Sequence, residues 1–127
     1  MNLTAEQIEA KRKEIRDGND LLRTTFFPFL GKVVFTEGVA NNLLKEKVLS
    51  AVREFYQFDG GNDPHHEHDF GAVEIESEKG QYCQKRNKWY EKFFFKIDYY
   101  DLKLEFGADP YREPFKRVLT IMEASEY

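Results

Sequence analysis

The sequence predicts an α+β domain, an antiparallel sheet of about four strands with two helices. Three observations carry that reading. Aromatic residues make up 16% of the chain, with 12 Phe and 7 Tyr, and aromatic side chains favour pleated, half-buried surfaces. Two stretches, residues 73–76 and 93–100, alternate apolar and polar side chains at the period of a strand. Across residues 42–58 the period lengthens to that of a helix, with Leu44, Val48, Val52 and Phe55 at i, i+4, i+8 and i+11. The 127 residues suit a single domain, with residues 1–31 as an N-terminal helix and connector and residues 32–127 as the α+β core.

The first helix starts at Thr4, which forms a capping box with Gln7. Ile8, Ile15 and Leu22 recur every seven residues, but Arg12 and Asn19 interrupt the stripe, which predicts a thin, loosely docked seam. Gly18 weakens the helix near its end. Pro28 and Gly31 bracket an apolar connector, and residues 32–36 read as a short buried strand that Gly38 breaks. Residues 59–64, with two glycines and a proline, form a loop. Pairing the two alternating stretches as an antiparallel hairpin sets Glu74 and Glu76 near Lys92 and Lys96, with a polar segment and a turn at Lys79-Gly80 between the strands. Residues 117–122 fit a helical stripe or a central strand. A strand is favoured, because a two-stranded hairpin needs another neighbour.

Composition excludes several classes. A hydrophobic share of 41% rules out a disordered chain, and no apolar run approaches the roughly 18 residues of a membrane span. The start of the chain has no secretory pattern, and a single cysteine, Cys83, leaves no internal disulfide, so a cytoplasmic setting is expected. A net charge of −4 argues against tracking free nucleic acid, but it is compatible with the basic groove of a protein.

Several blocks resemble a known family. They are Asn62-Asp63-Pro64, Glu67-His68-Asp69-Phe70-Gly71, the Lys96-Ile97-Asp98-Tyr99-Tyr100-Asp101 run, Val118-Leu119-Thr120-Ile121-Met122 and the closing Ser125-Glu126-Tyr127. In this order they are similar to the bacterial family catalogued as domain of unknown function 3768. Upstream, Ile15-Arg16, Asn19-Asp20, Arg23, Gly38-Val39 and Ala51-Val52-Arg53 extend the likeness over nearly the whole chain. The resemblance implies a small cytoplasmic protein found on chromosomes and mobile elements, with no activity to carry over. His65 and His66 stand where that family has an aromatic or small residue, and residues 78–90 look like an insertion in its tighter hairpin.

Asp63, His65, His66, Glu67, His68 and Asp69 form the densest chemical cluster. Ligands confined to seven residues make a poor catalytic metal centre, since such centres usually draw on separate elements. The simpler reading is a polar loop in which His68 or Asp69 caps backbone amides. A composite acidic site is the alternative: Glu67, His68 and Asp69 at one strand end converge with Asp98 and Asp101 at the end of its partner. Against it stands strand parity, which puts Asp69 with Val73 and Ile75 but Asp98 opposite the Phe95 and Ile97 face. Tyr82, Trp89 and Tyr90, interleaved with Lys85, Arg86 and Lys88, suit a hairpin tip that makes contacts. Phe94 and Tyr100 belong to a sheet face that two helices on the opposite side leave bare, which predicts a protein partner or a homodimer.

The expected function is that of a small acidic accessory or regulatory protein acting by macromolecular binding, with inhibition of a host nucleic-acid-processing system as a sharper form. Its candidate binding residues are Tyr82, Trp89, Tyr90, Phe94 and Tyr100. The alternative is a metal-assisted hydrolase or nuclease using Glu67, His68, Asp69 and Asp98 as catalytic residues. No cofactor is expected.

Overall fold

The computed structural model describes residues 2–127. Thr4 opens helix α1 (Ala5–Thr25) in the expected capping box, with Gln7 N–H donating to its hydroxyl at 3.1 Å and Thr4 N–H donating to Gln7 Oε1 at 2.8 Å. Phe26 ends the helix in a left-handed conformation, φ 54°, and its N–H closes on the Leu22 carbonyl. Strand β1 (Lys32–Phe35), a one-turn helix α2 (Glu37–Ala40) and helix α3 (Lys45–Glu54) follow. Two long strands, β2 (Phe70–Cys83) and β3 (Lys88–Tyr100), precede β4 (Lys116–Glu123) and a 3₁₀ turn over Ala124–Glu126.

The sheet order is β1-β4-β3-β2, with β2–β3 and β3–β4 antiparallel but β1–β4 parallel. The expectation of a purely antiparallel sheet is therefore corrected to a mixed one. The last strand, returning against β3, falls in beside the first, and the helical crossover between β1 and β2 fixes its direction. Three α-helices stand among the described residues instead of two, because Val39 is fully buried and draws the chain after Gly38 into the turn of α2. The main helix is shorter than its periodicity predicts. Asn42 Oδ1 accepts from Leu44 N at 2.8 Å before it starts, and Phe55 turns extended after it. Phe55 and Phe58 leave the helix to pack edge-on with Phe95, at 5.2 and 6.3 Å between ring centres.

Residues 116–123 form a strand, as favoured, and Glu74 stands opposite Lys92 as expected. Glu76 instead meets Tyr90, Lys96 stands opposite Phe70, and the pairing slips between Glu76 and Gln81. Lys79-Gly80 lies in this bulge and is not the hairpin turn, which comes after Cys83. A Cβ on Gly80 would collide with the Tyr90 backbone, so the close approach requires glycine.

Phe93, Phe95, Leu119 and Ile121 on one sheet face are fully buried against Leu22, Val39, Val48 and Val52 from the helices. The opposite face is less bare than its sequence suggests. Tyr127 lies edge-on to Phe70 and Phe94, 5.7 and 5.4 Å between ring centres, and Met122 beneath is buried. No described helix is long and apolar enough to cross a membrane.

Candidate functional site

The site grows from the loop between α3 and β2. Asp59 Oδ1 accepts from the amides of Gly61 and Asn62 at 2.8 and 3.1 Å, closing the first turn. Asp63 then buries its side chain, and its Oδ1 accepts from the amides of Glu67 and His68 at 2.9 and 3.0 Å. The capping expected of His68 or Asp69 is thus performed by Asp63. His66 and His68 take left-handed backbones, φ 58° and 55°, on either side of Glu67, which turns inward.

Glu67 is 8% exposed and lies between two phenols. Tyr99, from β3, donates to Oε1 at 2.8 Å, and Tyr111, from the β3–β4 loop, donates to Oε2 at 2.9 Å. Burial, reinforced by the neighbouring carboxylate, pushes Tyr111 up to about 12. Burial also raises Tyr99 well above the ordinary phenol range. Both hydroxyls therefore stay protonated and act as donors. Asn19, completely buried in α1, donates through Nδ2 to the Tyr99 hydroxyl at 2.8 Å and to the Glu67 carbonyl at 2.9 Å. Its Oδ1 accepts from Arg117 Nε at 2.7 Å, and Arg117 also reaches the Ile15 carbonyl. One hydrogen-bonded chain thus joins α1, the loop, β3 and β4. The loosely docked first helix is corrected accordingly: its seam is Ile15, Asn19, Leu22 and Arg23, all buried.

His68 starts a second branch. Its ring lies flat on Phe58, 3.9 Å between centres and 3° from parallel, with Nδ1 at 2.9 Å from Asp20 Oδ1 and Nε2 at 3.6 Å from Asp63 Oδ2. Asp20 also accepts from Arg23 at 3.1 Å, and Arg23 donates to the carbonyls of Val52 and Phe55 at 3.0 and 2.7 Å, satisfying the C-terminal end of α3. Asp69 turns toward this region, and burial followed by the nearby Glu67 charge raises its pKa.

Asp98 does not join the cluster. Strand alternation sends Ile97 and Tyr99 toward the helices and Asp98 to the other face, where Lys96 Nζ meets it at 3.0 Å. Asp101 instead caps its own loop by accepting from Glu105 N at 3.0 Å. Among the described residues no three His, Cys, Asp or Glu side chains are grouped to hold a metal ion. Each Glu67 oxygen accepts from one phenol and His68 Nδ1 lies beside Asp20, so these two side chains tie the loop to α1, β3 and the β3–β4 loop. Glu67 and Tyr111 border a cleft of about 410 Å³ that Arg12 and His65 also line.

The candidate binding residues separate. Tyr82 and Trp89 face each other across the far end of β2–β3, 5.3 Å between ring centres, and the Arg86 guanidinium covers Tyr90 at 3.8 Å. Phe94 is covered by Tyr127, and Tyr100 is half-buried beside Gly107 at the other end of β3. Sequence reasoning missed Asp20, Arg23, Tyr99, Tyr111 and Arg117 as site residues, and read Asn19 as a gap. The available signal was the spacing of Asn19 and Arg23, one turn apart on the side of α1 that carries Ile15 and Leu22.

Residues 35–126 match the family model described as "Protein of unknown function (DUF3768)". The chain belongs to this family. The match begins at Phe35, so α1, which supplies Asn19 and Asp20, lies outside it, and the likeness to this DUF3768 model is shorter than the motifs suggest. No curated protein and no solved structure matches the chain.

Proposed function

We propose that this DUF3768 chain is a non-catalytic interaction module, a small accessory or regulatory protein that grips another macromolecule with its β2–β3 arm. The observation that carries this reading is burial along the arm: between Val73 and Phe93 no residue is buried. A two-stranded ribbon extending beyond the core is marginal by itself, and here it carries Tyr82 and Trp89, each about half exposed (47% and 48%), at its end. Large rigid aromatics flanked by Lys85, Arg86 and Lys88 have the composition of an interface anchor. The basic residues at the tip suit an acidic patch on the partner, beside which the two aromatics would seat.

A photo-reactive phenylalanine analogue placed at position 89, and separately at Glu6 on the exposed side of α1, tests the reading in the producing cell. A discrete adduct from position 89 is expected, with none from position 6. The partner, identified by mass spectrometry and purified, should then change the fluorescence of Trp89, the single tryptophan. Full-strength binding by a folded Tyr82→Ala/Trp89→Ala variant would overturn the proposal.

A further inference from the structure

We propose that the groove between the connector at residues 26–33 and the start of β4 docks an acidic, apolar peptide segment of a partner protein. The groove measures about 790 Å³, and Phe26, Phe29, Leu30, Leu104 and Phe115 supply its apolar walls. Phe29 is 90% exposed, an unusual position for so large an apolar side chain, and its ring pairs with that of Phe27 at 5.4 Å between centres.

Charge decides the occupant. The charged residues lining the groove are Lys32, Lys116 and Arg117, with no acid among them, in a chain whose net charge is −4. At the other end of β1 a cleft of about 730 Å³ has the opposite character, lined by Glu37, Glu78, Glu91, Glu123 and Glu126 against one lysine. Arg117 is engaged with Asn19 and the Ile15 carbonyl, whereas Lys32 and Lys116 are exposed and form no ion pair among the described residues. Lys32 stands opposite Val118, two residues beyond Lys116 on the neighbouring strand, and both lysines line the groove. A segment with Phe or Leu to fill the trough and Asp or Glu to meet the lysines satisfies both features. The groove lies at the opposite end of β3 from Trp89, so the inference does not depend on the arm.

Titration of the ¹⁵N-labelled full chain with two ten-residue peptides tests it. Both carry Leu and Phe at alternate positions, one with Glu and the other with Lys between them. The acidic peptide is expected to shift the amides of Leu30, Lys32, Val33, Leu104 and Lys116, and to bind at least tenfold tighter than the basic one. Lys32→Glu/Lys116→Glu should reverse that preference without moving the thermal midpoint, and Phe29→Ser should weaken both peptides. Equal affinities, shifts confined to other surfaces, or no shift at millimolar peptide would overturn the proposal. Two further outcomes would also overturn it: concentration-dependent self-association abolished by the charge reversal assigns the groove to a second copy, and displacement of the acidic peptide by oligo-dT assigns it to nucleic acid.

Discussion

The Tyr99 hydroxyl donates to Glu67 Oε1 at 2.8 Å and accepts from Asn19 Nδ2 at the same distance, so a phenol in β3 carries the hydrogen-bonded chain from α1 into the loop. Each polar group in this chain is buried or half-buried, so removing one member strands its neighbours away from water. Asn19→Ala leaves Arg117 Nε without its Asn19 acceptor and the Glu67 carbonyl without its Asn19 donor. A loss of about 2–4 kcal/mol in urea unfolding is expected. Tyr99→Phe removes the adjoining link. The double variant should lose less than the sum of the single losses, by about 1–2 kcal/mol, because both substitutions break one chain. Strict additivity would show that the links act separately.

Gly18 sits on the face of α1 that Arg117 crosses, and a Cβ there would lie 2.6 Å from the Arg117 guanidinium carbon. In an exposed helix interior, Gly→Ala would add about 1 kcal/mol of stability through propensity. Here it pushes Arg117 off Asn19 and the Ile15 carbonyl, so Gly18→Ala should destabilise. The expected sign reverses in an Arg117→Ala background, where the methyl meets no guanidinium and the helical preference of alanine is recovered. Chemical unfolding of the four proteins in this cycle checks both signs.

Local chemistry was legible in the sequence wherever cause and effect lie close along the chain. The Thr4–Gln7 box spans three residues, and the alternation of Phe93, Phe95 and Ile97 needs only its own strand. The site was harder to read because its partners are remote: Asn19 and Tyr99 are 80 positions apart, and Asp20 and His68 are 48 apart. A count of apolar positions sees Asn19 as a break in a stripe, since nothing nearby shows that its amide will be satisfied. Tyr111 comes from an irregular loop with no period to place it. Asp98 and Asp69 occupy paired strand ends, and here the sequence was legible: the alternation of Asp98 with Phe95 and Ile97 separates the two aspartates, and Asp98 lies on the other side of the sheet.

Asp69 gives a pH dependence of defined sign. Burial, followed by the Glu67 charge, raises its folded-state pKa above the ordinary value of 3.8. In the window just above 3.8 the folded chain therefore binds more protons at Asp69 than the unfolded chain. This group's contribution to stability falls as pH rises through that window, and the full penalty remains at neutral pH. Asp69→Asn removes the buried charge, so its thermal midpoint should exceed that of the parent at pH 7. The gap should close as both proteins are acidified below the window. A lower midpoint for the variant at pH 7 would mean that the Asp69 charge is held by a favourable partner.

His66 tests whether the histidine-rich loop is held by its backbone or by a role of its imidazoles. Its ring is exposed, yet its φ of 58° lies in the left-handed region, which costs a side-chain-bearing residue about 1–2 kcal/mol. Glycine adopts that conformation freely but loses about 0.5–1 kcal/mol more chain entropy on folding. Subtracting the second from the first, His66→Gly should stabilise, by up to about 1.5 kcal/mol. His68→Gly at φ 55° should do the opposite, because it also removes the ring stacked on Phe58 and bonded to Asp20. Thermal unfolding of both variants, with and without millimolar Mn²⁺ or Zn²⁺, separates the contributions. If metal raised the parent midpoint but not that of His66→Gly, His66 would be a ligand, because an ion that binds the folded chain must stabilise it by mass action.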